Sequence, residues 1–435
     1  MTHANAARRS VTSRAVAGRR ADAAQVWVEI EGQAIAAGRL YSHRRRSTES
    51  ASFAYEPSYL SDARAYALDP ALPLRSGTQQ TPLGQKIFGA FSDSCPDRWG
   101  QRLIERAERH RVESEGATAR SFGQFDLLLR VRDDLREGAV RYWTDGRFVA
   151  DETTGVPAMT DLPTLLSAAD DIGHGSDDAQ SLALLLRAGS SLGGARPKAH
   201  VRDRNGRIAI AKFPSPSDEW NVMAWEKTAL DLASRAGIAT PDNHLEIIAG
   251  RNVLIVDRFD RTAGGMRRGY MSAMTALEAT AGETRSYVDI AEVLEERSLE
   301  VTAELAQLWR RIAYSILISN TDDHLRNHAL LHVRSDSWTL SPAFDLNPNP
   351  GPGPKHLSTA INGDTAADLR DLLAAAPLFR LDDLQARDTL AQVRRAVGQW
   401  RQVAARHGLD EADMTAMAPA FVHAQADLAA KLVAA

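Results

Sequence analysis

Apolar and polar residues begin to alternate at residue 25, in QVWVEIEGQAIAAGRL, and the alternation turns back over a glycine, which predicts an antiparallel hairpin. ASFAYEPSYL and AYALDPALPL read as further short extended pieces, and CPDRWGQRLIERAERH opens a helix. SFGQFDLLLRV reads as helical and GAVRYW as a strand, so an α/β segment extends to about residue 150. TTGVPAMTDLP has the composition of a linker or turn leading into helices. From residue 178, DDAQSLALLLRAG has helical spacing and is stopped by SSLGGARP. KAHVRDRNGRIAIAKF then forms a hairpin with Asn205 and Gly206 at its tip. EWNVMAWEKTALDLASRAG is an amphipathic helix ending at Gly237, and HLEIIAGRNVLIVDRFDR is a second hairpin over Gly250. The order is strand, strand, helix, strand, strand. Beyond residue 285, SYVDIAEVLEERS and VTAELAQLWRRIAYSILIS are well-patterned helices, and HALLHV with WTLSPAF makes a short pair around Arg334 to Ser337. Three or more helices follow.

The chain has 435 residues, 44% hydrophobic and 25% charged, enough to build a large core in two or three subdomains. A net charge of −4 gives no whole-chain argument for nucleic acid or membrane. A lone cysteine, Cys95, excludes an intrachain disulfide framework and fits a reducing, cytoplasmic setting. No apolar run reaches the roughly 20 residues that span a bilayer. The first twenty residues carry Arg8, Arg9, Arg14, Arg19 and Arg20 with no acid and no apolar signal core, so a disordered Arg-rich tail is expected over 1–24. Lysine is scarce beside arginine, which singles out any lysine set between apolar residues.

Lys212 is such a residue, in IAIAKF, on the same strand face as Ile208 and Ile210. A buried ammonium needs an anion, and Glu226 on the following helix can pair with it; an edge-strand lysine reaching solvent is the competing reading. The turn SSLGGARPK offers consecutive backbone N–H groups that could approach phosphates, although a Gly-Gly turn is ordinary by itself. No P-loop signature is present. In ISNTDDHLRNHALLH, Asp322 and Asn327 have the D-x-x-x-x-N spacing of a kinase catalytic loop, and Asp345 follows an aromatic in SPAFDL. His324, His328 and His332 recur every fourth residue, a zinc face if helical, but HALLHV reads as a strand. Asp322 as a simple cap residue is the remaining reading.

Taken together these motifs resemble the HipA-like serine/threonine kinases of bacterial toxin–antitoxin modules. NTDDHLRNH is similar to that family's catalytic loop, SSLGGARPKA to its phosphate loop, AIAKFPS to its lysine strand and LIVDRFDR to its hinge. The N-terminal pieces FAYEPSYL, ALPL and DSCPDRWGQRLI are similar to its N-terminal subdomain, so the likeness covers nearly all of the chain after the tail.

The resemblance implies an α+β, protein-kinase-like two-lobed fold. An N-terminal α/β subdomain would span 25–155, a β-rich nucleotide-binding lobe 156–270 and a mostly helical lobe with the catalytic loop 271–435. Asp322 would be the catalytic aspartate, and Asn327 and Asp345 the ligands of Mg2+. ATP would be bound by Gly193, Gly194, Ala195, Arg196, Pro197 and Lys198 in the phosphate loop and by Lys212. The backbone of Asp257, Arg258 and Phe259 would take adenine, with His324, Leu325, Arg326, Asn327, Phe344 and Asp345 bordering the nucleotide. Ser191, or the adjacent Ser190, falls where the family autophosphorylates. Asp322 is expected to keep an ordinary carboxylate pKa of about 4. NPNPGPGPK, after Asp345, departs from the shared pattern and is a candidate mobile segment. The implied activity is an ATP-dependent Ser/Thr kinase toxin acting on a translation component such as an aminoacyl-tRNA synthetase. A small helix-turn-helix antitoxin would be its partner, with DNA engaged only through that antitoxin and no membrane involved. A degenerate kinase-fold scaffold and a small-molecule kinase are the alternatives.

Overall fold

The computed structural model describes residues 22–45, 48–116, 118–149, 155–176, 178–189, 194 and 196–434. The Arg-rich tail therefore lies outside the described residues, apart from its last three positions.

Strands β1 (Ala23–Ile30), β2 (Gln33–Arg45), β3 (Thr48–Tyr55), β4 (Thr78–Gln80), β5 (Val140–Thr144) and β6 (Arg147–Phe148) form an antiparallel sheet in the order β4-β3-β2-β1-β5-β6. Alternation in β1 sends Val26, Val28 and Ile30 into the core. Its turn to β2 places Glu31 at φ 51° and Gly32 at φ 78°, the left-handed pair whose twist matches the flanking strands. Residues 65–74, read from sequence as an extended piece, are turns instead. Pro70 and Pro73 remove ladder donors. Tyr66, Leu68 and Leu72 are buried there without a strand, because the hydroxyls of Tyr55 and Tyr59 donate to Leu72 O (2.8 Å) and Tyr66 O (2.9 Å).

A second sheet contains β7 (Lys198–Arg202), β8 (Ile208–Lys212), β9 (Asn243–Ile248) and β10 (Arg251–Asp257), ordered β7-β8-β10-β9. One face carries Ala199, Val201, Ala209, Ala211, Val253 and Ile255 into a core shared with the helices Leu162–Gly173 and Ala179–Ala188 and with Trp99 and Leu103. The helix Val222–Arg235 packs near β9 and β10 and buries Trp225 against Trp400 and Phe421. A third sheet joins β11 (Tyr270–Ser272), β12 (Ala329–Arg334) and β13 (Ser337–Leu340); β11 is too short to have shown in the hydrophobic pattern. The larger core runs continuously from β1 to the last helix, Ala424–Ala434. Among the described residues no helix is long and apolar enough to cross a membrane.

The first and second sheets are tied by a buried charge cluster just after β10. Arg258 donates to Leu135 O (2.7 Å), Arg136 O (3.0 Å) and both oxygens of Asp260, while Arg261 donates to Arg136 O at 2.7 Å. His200 Nε2 lies 3.2 Å from Arg258 Nη1, so it accepts, and its Nδ1 donates to Ala188 O at 3.2 Å. Burial, and then the Arg258 charge, push the His200 ring down to about 3. Between about 6.5 and about 3 the unfolded chain binds a proton that the folded chain refuses. Stability is therefore expected to fall as the pH drops through this window. Thermal midpoints recorded across it check this, and the fall is expected to be shallower in His200→Gln, which keeps one donor and one acceptor.

Candidate active site

A cavity of about 1030 Å3, its open mouth included, lies between the second sheet, the loop that carries Asn327 and the N-terminal subdomain. Ile210, Leu230, Val256, Phe259 and Phe344 give it an apolar wall, and Phe259 and Phe344 meet with ring centroids 5.3 Å apart. Alternation in β8 decides what enters it. Ala209 and Ala211 face the helices, which turns Ile210 and Lys212 toward the cavity. Lys212 Nζ donates to Glu226 Oε1 (2.5 Å) and to Asp345 Oδ1 (3.0 Å). Burial alone would lower the Lys212 pKa, but Asp345 and Glu226 outweigh it and hold the ammonium protonated. Burial likewise opposes the Asp345 charge, and Lys212 overcomes it, drawing the carboxyl down to about 2. Glu226 goes the other way: burial raises it despite Lys212. Deeper in the wall, Lys198 Nζ meets Asp97 Oδ2 at 2.5 Å, with both side chains 3% exposed.

The helix Val301–Leu317 ends at the loop that carries Asp322 and Asn327, where Ser319 takes a left-handed φ of 53°. The adjacent acids then diverge: Asp322 is exposed and Asp323 buried. Asp323 accepts from Tyr287 Oη (2.6 Å) and Ser315 Oγ (3.0 Å) and lies 2.9 Å from His328 Nε2, while its backbone carbonyl accepts from Thr359 Oγ1 at 2.7 Å. It anchors the loop. Burial raises its pKa, but the His328 ring and these hydrogen bonds leave it below the ordinary value. Asn327 Nδ2 donates to the backbone carbonyl of Asp322 at 2.9 Å, closing the loop on itself. Asp345 sits at φ 57°, a left-handed conformation that a short polar side chain tolerates. Asp322 does not keep an ordinary pKa: partial burial raises it, Asp345 and Asp323 add to this, and His324 opposes.

Residues 190–414 match the HipA-like C-terminal domain, and residues 28–142 match the HipA N-terminal domain. This chain belongs to the HipA-like family. Its backbone is similar to that of HipA from the toxin–antitoxin system of Shewanella oneidensis MR-1, solved with HipB and its operator DNA. That likeness has a TM-score of 0.64 at 16% identity, over 94% of this chain and 96% of that one. A putative kinase of Haemophilus influenzae is 24% identical over 179 residues, spanning 36% of this chain and about half, 52%, of that relative.

In this HipA-like chain, Ser190, Ser191, Gly193 and Ala195 fall outside the described residues. Of the rest of the SSLGGARPK segment, Lys198 lines the cavity, whereas Arg196 is turned to Asp218, 2.5 Å away. Gly194 O accepts from Trp99 N at 3.4 Å, and Pro197 O from Phe213 N at 2.9 Å. Asp257, Arg258, Phe259, Arg326, Asn327, Phe344 and Asp345 line the cavity. The Asp257 N–H is taken by Asp242 O at 2.8 Å, and its carboxylate lies 3.2 Å from Arg207. Leu325 is buried and His324 half-buried. The three spaced histidines part company: His328 goes to Asp323, and His332 stacks on Tyr66 with centroids 3.7 Å apart. NPNPGPGPK is tied down, with Asn349 Nδ2 donating to Thr321 Oγ1 (2.8 Å) and Lys355 Nζ to Asn349 O (2.9 Å). Sequence reasoning missed Asp97, Glu137 and Asp323. Asp323 alone had a local signal, an acid beside the exposed Asp322 and five residues before His328.

Proposed function

We propose that this HipA-like chain is an ATP-dependent serine/threonine kinase. The observation that carries the reading is Lys212, held at once by Glu226 and Asp345 inside the cavity next to the loop that carries Asp322 and Asn327. In this reading the second sheet with the helix Val222–Arg235 is a nucleotide lobe, and the helical region with the catalytic loop is the other. ATP lies in the cavity with its base toward residues 257–259 and its phosphates toward Lys198 and Lys212.

Mg2+ is accommodated by few protein oxygens, since it usually keeps several waters and is bound through one or two carboxylates plus phosphates. Asp345, with its carboxyl drawn down to about 2, and Asn327, whose NH2 is engaged with Asp322 O, fit that requirement. When bound, the ion supplies positive charge against the phosphate oxygens. Asp322 orients the acceptor hydroxyl. It is also the group placed to take the hydroxyl proton as the bond to phosphorus forms. Lys212 neutralises phosphate charge in a partly buried setting where an ammonium acts strongly.

The acceptor is proposed to be a seryl or threonyl group on a cytoplasmic protein, a translation component such as an aminoacyl-tRNA synthetase. A small helix-turn-helix antitoxin is the proposed partner, with DNA reached through it, as the structural relative solved with HipB and operator DNA suggests. Ser191, or Ser190 beside it, is proposed to receive phosphate from the chain's own ATP; about −1.5 to −2 charge there would repel the nucleotide's phosphates.

Labelled ATP given to the chain with cell lysate tests the reading, together with mass spectrometry of the chain expressed alone. The expected result is label on a lysate protein and phosphate on Ser191 or Ser190 that is absent from Asp322→Asn. Label in a metabolite would make this a small-molecule kinase, and no label anywhere would make it a scaffold. Equal phosphate on both proteins would point to another kinase, and none on either would remove self-modification.

A further inference from the structure

Glu137 lines the cavity from the N-terminal subdomain, beside Arg258, Phe259 and Asp260. The residue is 6% exposed, yet among the described residues its carboxyl has no hydrogen bond and no ion pair. The other acids of that wall are all engaged. Asp260 holds Arg258 and Arg261, Asp93 accepts from Ser272 N and Oγ, and Asp97 meets Lys198.

The backbone on both sides of Glu137 is pinned to the segment after β10. Arg136 O accepts from Arg258 and Arg261, and Gly138 N donates to Asp260 Oδ2 at 2.8 Å. Gly138 itself stands at φ 72°, where a Cβ would come 3.1 Å from Tyr270, so the approach depends on glycine. The fold thus fixes a buried carboxyl where it gains no partner. That arrangement is destabilising by itself. A polar group on a ligand would complete it.

The position within the cavity says which part of a nucleotide that group belongs to. The hydrogen bonds that Arg136 O accepts from Arg258 and Arg261, and that Gly138 N donates to Asp260, hold Glu137 against the segment directly after β10. It therefore lines the cavity beside residues 258–260, at the end where the base is placed. Burial pushes its pKa well up, and its carboxyl keeps an oxygen that can accept a hydrogen bond in either protonation state.

We propose that Glu137 is a base-contacting specificity residue, whose carboxyl accepts a hydrogen bond from the exocyclic amino group of adenine. This rests on the reading of the cavity as an ATP site.

Binding of ATP, purine riboside triphosphate (which lacks the amino group) and 2′-deoxyATP to the full chain, by calorimetry, tests the proposal. The chain is expected to bind ATP roughly three- to ten-fold tighter than the purine analogue, the effect of one hydrogen bond. Glu137→Ala is expected to abolish that difference, and Glu137→Gln, which keeps a donor and an acceptor, to restore most of it. The thermal midpoint of Glu137→Ala is expected not to fall, because the carboxyl it removes has no partner. Equal affinity of the unmodified chain for ATP and the purine analogue would overturn the base contact and leave the kinase reading standing. A loss in Glu137→Ala that follows 2′-deoxyATP would assign the residue to the ribose and overturn it too. A lowered midpoint with uniform loss for all three nucleotides would make Glu137 structural. No ATP binding by the unmodified chain would remove the ATP reading and this inference together.

Discussion

Asp322→Asn is expected to lower phosphoryl transfer by about 10^2- to 10^4-fold, the range for loss of a positioned acid–base group, while Mg2+-ATP still binds. The geometry separates these effects. Asn327 is tethered by the backbone carbonyl of Asp322 and not by its carboxylate, so the loop closure survives the substitution. The anchoring of the loop belongs to Asp323, which is also untouched. Asp345→Asn acts elsewhere. It removes the anion 3.0 Å from Lys212 together with a proposed metal ligand, so Mg2+-dependent nucleotide binding itself is expected to weaken. Single-turnover transfer and calorimetric binding over a Mg2+ titration check the pair. Equal loss of binding in both variants would show that the roles are not divided in this way.

Lys212→Met is expected to have two large effects with different remedies. Nucleotide use falls severely, because the ammonium that faces the cavity is gone. Stability falls as well: Glu226 is 2% and Asp345 27% exposed at the side chain, and they are left facing each other without the cation. Removing one partner of a buried pair typically costs about 3–5 kcal/mol. Protonation of Glu226, already raised by burial, offsets part of that. The double variant Lys212→Met with Glu226→Gln is therefore expected to recover much of the thermal midpoint and none of the transfer. A transfer rate unchanged in Lys212→Met would remove Lys212 from the site.

Local pattern made a good part of this legible. Period-two alternation marked the hairpins β1–β2, β7–β8 and β9–β10, since one buried face imposes it, and Gly32, Gly206 and Gly250 take left-handed turn conformations where the pattern reverses. The helix Val222–Arg235 puts Glu226 on its buried side, and the structure brings that carboxylate to Lys212. The five-residue spacing of Asp322 and Asn327 closes within one loop, so a short window of sequence contained it. The piece at 65–74 misled because its burial comes from tyrosine hydroxyls reaching across from neighbouring elements, which has no period along the chain.

The sequence by itself determined the order of strands and helices, the identity of the loop acids and the resemblance to the HipA-like family. These depend on neighbours a few residues apart. Tertiary structure alone decided that Lys212 meets Asp345 across 133 residues, that Lys198 meets Asp97 across 101 and that Arg258 reaches back to Leu135 and Arg136. It also decided that Asp322 faces out while Asp323 anchors, and that Glu137 stands in the cavity wall with no hydrogen bond or ion pair among the described residues. A charged side chain reads the same in any stretch of sequence. Its burial and its counter-charge set its pKa and its role, and those come from whichever distant segment the fold packs against it.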